Sequence, residues 1–461
     1  MSDLASPIAP ARTANLLLDY YDRLPAVIAA TGVDPAPVVD PLAFSPGYPL
    51  PDLDDRMRRY LAVATAQWSP LADYGATRLS LLDLTGNPGT QTTKTIASLL
   101  IVARAVGHIQ RTGEPVLIFT PSSANKATAL RDAVERALAA GLATPDQLRI
   151  VTLVPASCRD KLRSSGLSAD PALRRRNPVL LYDGAQPEDV KPLARTTVRD
   201  HAATLRGRGW NLWFTLELQN YVVADAARAF FEQDVAPTAA AGRPRLHAHA
   251  VSSAFGLLGY VAGREVLERS GAATTADRPG FLLVQHLGTP DMVLHLRTGS
   301  FDRAGLPPYR LDPATGLHRQ DADPHFPAVT HDPAEVLDPT FYSRAPLTAP
   351  TMTGLIERFG GGGIVVSLAE CLARYPHLRQ WLEPSGRPLP ADFRRLREWS
   401  LVMALTGTLT AIDRGLVPAD SEIVVHGTGS YAAGDYQPLE PDAGTVVHGA
   451  DDIAAALPAD A

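Results

Sequence analysis

The sequence predicts an α/β fold, and three observations carry that prediction. Apolar runs of strand length recur at 79–84, 114–120, 147–154 and 178–182, each bounded by Gly, Pro or polar residues. Helix-length segments follow three of them, at 95–106, 122–140 and 190–205. This alternation of strand and helix argues for a mainly parallel sheet covered by helices. The third observation is a set of small, polar turns at the carboxyl ends of predicted strands, at 85–94, 122–126, 252–256 and 426–431. Open α/β sheets bind their ligands at those ends.

Composition bounds the class. With 461 residues the chain can hold about three domains or two large ones. A hydrophobic share of 45% and a charged share of 20% describe a soluble globular protein with a full core. The net charge of -6 argues against nucleic-acid or anionic-membrane partners. Cys158 and Cys371 stand far apart without metal-ligand spacing, so neither a disulfide framework nor a cysteine zinc site is expected. A reducing cytoplasm fits. The first residues lack a basic segment followed by a long apolar one, and no apolar run reaches about 18 residues, so neither a signal peptide nor a membrane span is expected.

Taken in order, residues 1–60 read as an N-terminal arm with a helical stretch at 16–28 and a proline-rich loop at 35–51. A helix at 54–68 precedes the strand 79–84. After the alternating segments come a strand at 212–218, a helix at 221–234, a strand at 246–252, an apolar helix at 257–267 and a strand at 281–286. Residues 290–350 are rich in Pro, Asp and His and read as an insertion of loop and short strand. Helices are expected at 352–358, 367–375 and 393–414, a strand at 421–426, and an irregular tail from residue 438 with a short helix at 451–456. The glycine run 360–363 reads as a flexible loop near the mouth of the site.

Within this frame Lys94 stands out. It follows the strand 79–84 and the turn Gly86-Asn87-Pro88-Gly89, and it opens an apolar helix. Helix N-termini collect unpaired N–H groups and favour anions. An amine in that field, beside apolar walls, is biased towards its neutral, nucleophilic form. Lys126, by contrast, reads as a solvated charge on a helix surface. His247 and His249 alternate on a strand, but no nearby carboxylate or cysteine completes a ligand set, so no metal site is expected.

The ordered set of turns resembles the pyridoxal-phosphate (PLP) enzymes of the tryptophan synthase β-subunit fold, or fold type II, which include threonine synthase and cysteine synthase. Ser69-Pro70-Leu71 resembles their opening Pro-Leu segment. Residues 87–95, NPGTQTTKT, resemble the lysine motif, and Ser122-Ser123-Ala124-Asn125-Lys126 the asparagine loop. Ser252-Ser253-Ala254-Phe255-Gly256 resembles the phosphate loop, Val284-Gln285 a later strand, and His426-Gly427-Thr428-Gly429 the closing turn. The likeness covers about residues 65–435. It departs at Thr95, where an Asp is usual, at Ala124 and Ser253, where a Gly is usual, and at His426, where a Ser or Thr is usual.

The resemblance implies a two-domain architecture: an arm at 1–60, a large PLP-binding domain at 61–100 and 206–435 with the insertion 290–350, a smaller α/β domain at 101–205, and a tail at 436–461. It implies that Lys94 carries PLP as a Schiff base and moves the proton. Asn125 would meet the ring hydroxyl, while Ser253, Ala254, Phe255 and Gly256 would cradle the phosphate. His426, Gly427 and Thr428 would close over the ring nitrogen, with His426 or Thr428 as the contact. Ser122, Ser123 and Thr90 would bind the substrate. The implied activity is elimination or replacement at the β or γ carbon of an amino acid, threonine synthase-like, in a cytoplasmic homodimer of specialised metabolism. Two rivals stand beside it. One is an inactive member kept as a binding or scaffold protein. The other is a P-loop NTPase, from residues 86–95, although the glycine expected immediately before the lysine is missing.

Overall fold

Strand β3 (Arg78–Asp83), RLSLLD, buries every residue but its first, as a strand covered on both faces must. It lies inside a seven-stranded sheet in the computed structural model of the chain, which describes residues 11–238 and 242–457. The first ten residues of the arm and residues 458–461 of the tail lie outside the described residues.

The large sheet runs β1 (Arg12–Asn15), β2 (Thr65–Pro70), β3, β15 (Glu422–Gly427), β8 (Arg245–Ala250), β9 (Gly280–His286) and β13 (Gly361–Val366). From β3 to β13 all neighbours are parallel, and β1 and β2 close one edge antiparallel. A second sheet is wholly parallel. Its order is β17 (Gly444–Val447), β6 (Val179–Tyr182), β5 (Leu148–Pro155), β4 (Val116–Pro121) and β7 (Asn211–Phe214).

One helix, Lys94–Thr112, leads from the end of β3 to the start of β4 and so ties the sheets together. Every residue from Thr95 to Ile109 is buried in it, and it stops at Gly113, whose left-handed conformation (φ 73°) glycine adopts without strain. Among the described residues no helix is long and apolar enough to cross a membrane.

Several segments differ from the sequence reading. The glycine run is not a loop: residues 361–366 form β13, paired with β9. Gly361 passes so close to β9 that a Cβ would stand 2.0 Å from the Phe281 carbonyl oxygen, and its φ is 111°, so glycine there serves strand contact. The tail is not irregular, since β17 extends the second sheet along β6. The insertion carries a helix, Asp291–Thr298, and a three-stranded sheet of β10 (Arg310–Asp312), β11 (Leu317–Arg319) and β12 (Val329–Thr330). The expected helix 393–414 is shorter, Ser400–Asp413, because β14 (Leu396–Glu398) pairs with β16 (Tyr431–Ala432) just before it. The helix expected at 221–234 is two helices, Leu218–Asp225 and Ala227–Val235.

Candidate functional site

The turn after β3 is built by its own side chains. The Asp83 carboxylate accepts the Thr85 N–H at 2.9 Å, and the Asn87 carbonyl oxygen of the side chain accepts the Gly89 N–H at 2.9 Å. Gln91 is left-handed, with φ 51°. From there the chain is stitched to the turn after β15: Thr92 bridges Gly429, and the Thr93 N–H donates to the Thr428 carbonyl at 2.8 Å. Arg163 holds the same loop from behind, donating to the carbonyls of Pro88 (3.0 Å) and Thr90 (2.9 Å).

Lys94 leaves this clamp at the head of its helix. Its side chain is half-buried and has no hydrogen bond or ion pair among the described residues. Its nitrogen stands 5.3 Å from the centre of the Tyr221 ring. Desolvation lowers its pKa, and Arg228 adds to that against the opposing charges of Asp225 and Glu398. A free amine of lowered basicity is the nucleophile that a carbonyl group needs.

Lys126 is not the solvated charge expected. It is buried, donates to the Thr215 carbonyl at 2.6 Å, and lies 5.7 Å from the same Tyr221 ring. Burial first, then the neighbouring Lys94, bring its pKa down to about 7. Two amines therefore flank one aromatic ring. The helix pattern concealed this because Lys126 lies one residue past a helix start that points inward.

Asn125 opens the helix Asn125–Ala139. One of its amide N–H groups donates to Glu398 at 2.6 Å and its oxygen accepts the Tyr431 hydroxyl at 2.8 Å, which leaves one N–H free. Ala124 before it sits at φ 90° and ψ -57°, where glycine belongs. The Ser122 hydroxyl accepts the Ala127 N–H at 2.9 Å and keeps its own proton to donate. Ser123 is half-buried beside it. Thr90 is buried, and its hydroxyl is paired with that of Thr95.

The loop after β8 enters the helix Phe255–Arg269 through Ala254, left-handed at φ 52°. The first backbone bond of that helix is Leu257 N–H to the Ala254 carbonyl, so the earlier amides point forward unpaired. Ser253 is fixed by its carbonyl, which accepts the Thr348 hydroxyl at 2.6 Å. Phe255 packs on Tyr221 with ring centres 5.2 Å apart. At Gly256 a Cβ would lie 2.7 Å from an Arg228 nitrogen, so only glycine admits that guanidinium.

Arg228 is the residue that sequence reasoning missed. Fully buried on the helix Ala227–Val235, it donates from Nε and Nη2 to Asp225 (3.0 and 2.6 Å), from Nη2 to Thr93 (2.6 Å), and from Nη1 to His249 (3.3 Å) and His426 (3.2 Å). All five N–H groups are thereby engaged. An arginine can only donate, so the tautomers follow. His249 accepts at Nε2 and donates from Nδ1 to the Ala250 carbonyl at 2.8 Å. His426 accepts at Nδ1 and donates from Nε2 to His247 at 2.8 Å. Both rings are held neutral: burial lowers their pKa values, with Arg228 second at His249 and His247 second at His426. Both nitrogens of His426 are thus taken by protein partners. Gly427 ends β15 beside it, and Thr428 is buried with a hydroxyl that makes no bond among the described residues. The one signal for Arg228 in the sequence is a cation inside the apolar run 226–231, AARAFF.

Contacts thus link Lys94 and Phe255 to Tyr221, His426 and Thr93 to Arg228, and Asn125 to Glu398, and no motif pointed to Tyr221, Arg228 or Glu398; Ser122, Ser123 and Thr90 make no hydrogen bond with these three among the described residues. The profile of one family, described as a family of unknown function (DUF6002), matches residues 12–461. No protein of curated description matches the chain. Among solved structures, a PLP-bound threonine synthase from Brucella melitensis is similar at 15% identity and a TM-score of 0.48, covering 82% of this chain and 77% of that one. An L-serine ammonia-lyase from Rhizomucor miehei is similar at 13% identity and a TM-score of 0.46, covering 77% and 90%. A threonine deaminase isoform 2 from Solanum lycopersicum is similar at 12% identity and a TM-score of 0.45, covering 89% and 85%.

Proposed function

The chain belongs to the family of unknown function DUF6002, and from its site we propose that it is a PLP-dependent enzyme acting on an amino acid with a leaving group at the β or γ carbon. The observation that carries this reading is the unpartnered amine of Lys94. It is half-buried, lowered in basicity, and surrounded by the loops that end β3, β4, β8 and β15.

The residues fit the cofactor where anchoring is concerned. Lys94 is the residue to hold its aldehyde carbon. The unpaired amides of Ser253, Ala254, Phe255 and Gly256 suit a phosphate, since a helix begins there with small residues and free donors. Asn125 keeps one N–H for the ring hydroxyl. At the ring nitrogen the free hydroxyl of Thr428 is better suited than His426, whose nitrogens both have partners. When bound, PLP supplies an electron sink for charge developing at the substrate's α carbon.

The chain's own residues do the rest. The hydroxyls of Ser122 and Ser123 donate to the substrate carboxylate, and Thr90 supports them. Lys94, neutral at a lower pH than an ordinary lysine, takes and returns the α proton. The active form in this reading is a homodimer.

The test is direct. The purified chain mixed with PLP should absorb in the violet, and borohydride should then fix the cofactor covalently to Lys94 on peptide mapping. Lys94→Ala should abolish both signals. Absence of the absorption, or a label on Lys126 in place of Lys94, would overturn the assignment. A second reading has one observation in its favour: alanine rather than glycine at strained positions 124 and 254. A chain that holds the cofactor on Lys94 but turns over no amino acid would be a binding protein of the same fold.

A further inference from the structure

Between the helix Asn125–Ala139, the Gly89 turn and the segment 162–165 lies a cavity of about 240 Å³. It is lined in part by Thr128, Arg131, Glu135 and Arg163. Arg131 is 4% exposed, and only its Nη1 has a partner, the Asn177 carbonyl at 2.6 Å. Its Nε and Nη2 are buried without any hydrogen bond. Those two nitrogens form the side-on edge of a guanidinium, the edge that meets a carboxylate or phosphate with two parallel bonds. Leaving such donors buried and unmet is unfavourable unless a ligand meets them. Desolvation also brings the Arg131 pKa down to about 10 against the pull of Glu135 and Glu440.

Two further residues of its wall carry a buried donor without a partner, Arg163 at Nε and Thr128 at its hydroxyl. Carboxylates limit the charge the cavity can accept. Glu135 lies on its wall, accepting the Gly166 N–H at 2.8 Å through one oxygen, and Asp132 lies there paired to Arg136 at 2.8 Å. Two cations facing two acids suit a singly charged ligand better than a doubly charged one.

We propose that this cavity is a second ligand site that takes a small carboxylate on the free edge of Arg131. It does not depend on the PLP reading, since Arg131, Glu135 and Thr128 make no hydrogen bond or ion pair with Lys94, although Gly89 of the Lys94 turn lines the cavity as well. Arg163 nevertheless spans both, with its other nitrogens on the carbonyls of Pro88 and Thr90.

The experiment is saturation-transfer NMR on the full chain with sodium propionate as probe, at constant ionic strength, repeated with Arg131→Lys and Glu135→Gln. Propionate should bind saturably. Arg131→Lys keeps the charge but loses the two-pronged edge and should weaken binding at least tenfold. Glu135→Gln removes a like charge and should tighten it severalfold. Displacement of propionate by an equal concentration of inorganic phosphate, no saturable transfer, or equal binding by wild type and Arg131→Lys would each overturn the proposal. Should Arg131→Lys fail to fold, unchanged or weaker binding by Glu135→Gln overturns it alone.

Discussion

Two halves of the site differ in how they use their polar groups. Along the loops, donors are left free: the Lys94 amine, the first amides of the helix Phe255–Arg269, one N–H of Asn125 and the Thr428 hydroxyl. Beneath them, Arg228, His249 and His426 have every nitrogen engaged. Buried polar groups without partners are unfavourable, so free donors persist where a ligand completes them, and closed networks persist where they fix structure. In the proposed reading the loops are the part of the site that binds, and the arginine–histidine layer is the part that positions. The backbone repeats the contrast. Of the four non-glycine residues at positive φ among the described residues, Gln91, Ala124 and Ala254 lie in the loops, and none lies in the layer below.

The sharpest way to break this comparison is to open the closed layer. Arg228→Met removes a buried cation and leaves the Asp225 carboxylate, 4% exposed on its side chain, without its partner. Truncating one member of a buried pair costs about 3–5 kcal/mol. Urea denaturation should show a loss of that size, while the variant that remains folded should still react with PLP at Lys94. If cofactor binding disappears with stability unchanged, Arg228 belongs to the binding half instead.

Legibility followed the same division. The strands and the Lys94 turn were readable because apolar runs, prolines and glycines act locally, and the order of four turns pointed to the carboxyl ends of the strands. The layer beneath was not readable. Arg228 meets Thr93 and His426 from 135 and 198 residues away, contacts that only the packed sheet creates. The run 360–363 misled for a related reason: glycine signals freedom in a sequence, yet at Gly361 it permits close approach of two strands. Lys126 misled because a charged residue near a helix start is ordinarily solvated, and here the inward turn of the loop carries it under Thr215.

Lys126 gives the next test, a middle-sized one. Its folded-state pKa of about 7 lies below its unfolded value of 10.5. Between those limits the unfolded chain binds more protons than the folded one, so this group makes stability rise with pH from about 7 to about 10.5. Below that window the folded state must bury the charge in full. Lys126→Met removes the titration and should flatten the rise of the urea midpoint across the window relative to wild type. Parallel curves for the two proteins would mean that Lys126 is charged and paired in solution, and the contrast between a free Lys94 and a tethered Lys126 would lose its basis.

The smallest expected effect concerns the loops themselves. Ala124 holds φ 90° and ψ -57°, outside the regions open to a residue with a Cβ. A non-glycine residue held there costs on the order of 1–3 kcal/mol, offset in part by the greater freedom glycine gives the unfolded chain. Ala124→Gly should therefore raise stability by about 1 kcal/mol. The side chain is only a methyl group, so no hydrogen bond is lost: Asn125 keeps Glu398 and Tyr431, and Ser122 keeps Ala127. PLP affinity should hold or improve, because the loop needs less force to stay in place. A drop in stability would show that the loop relaxes in solution to a conformation in which alanine is at ease, and that the strain at its tip is not what sets the binding half of the site apart.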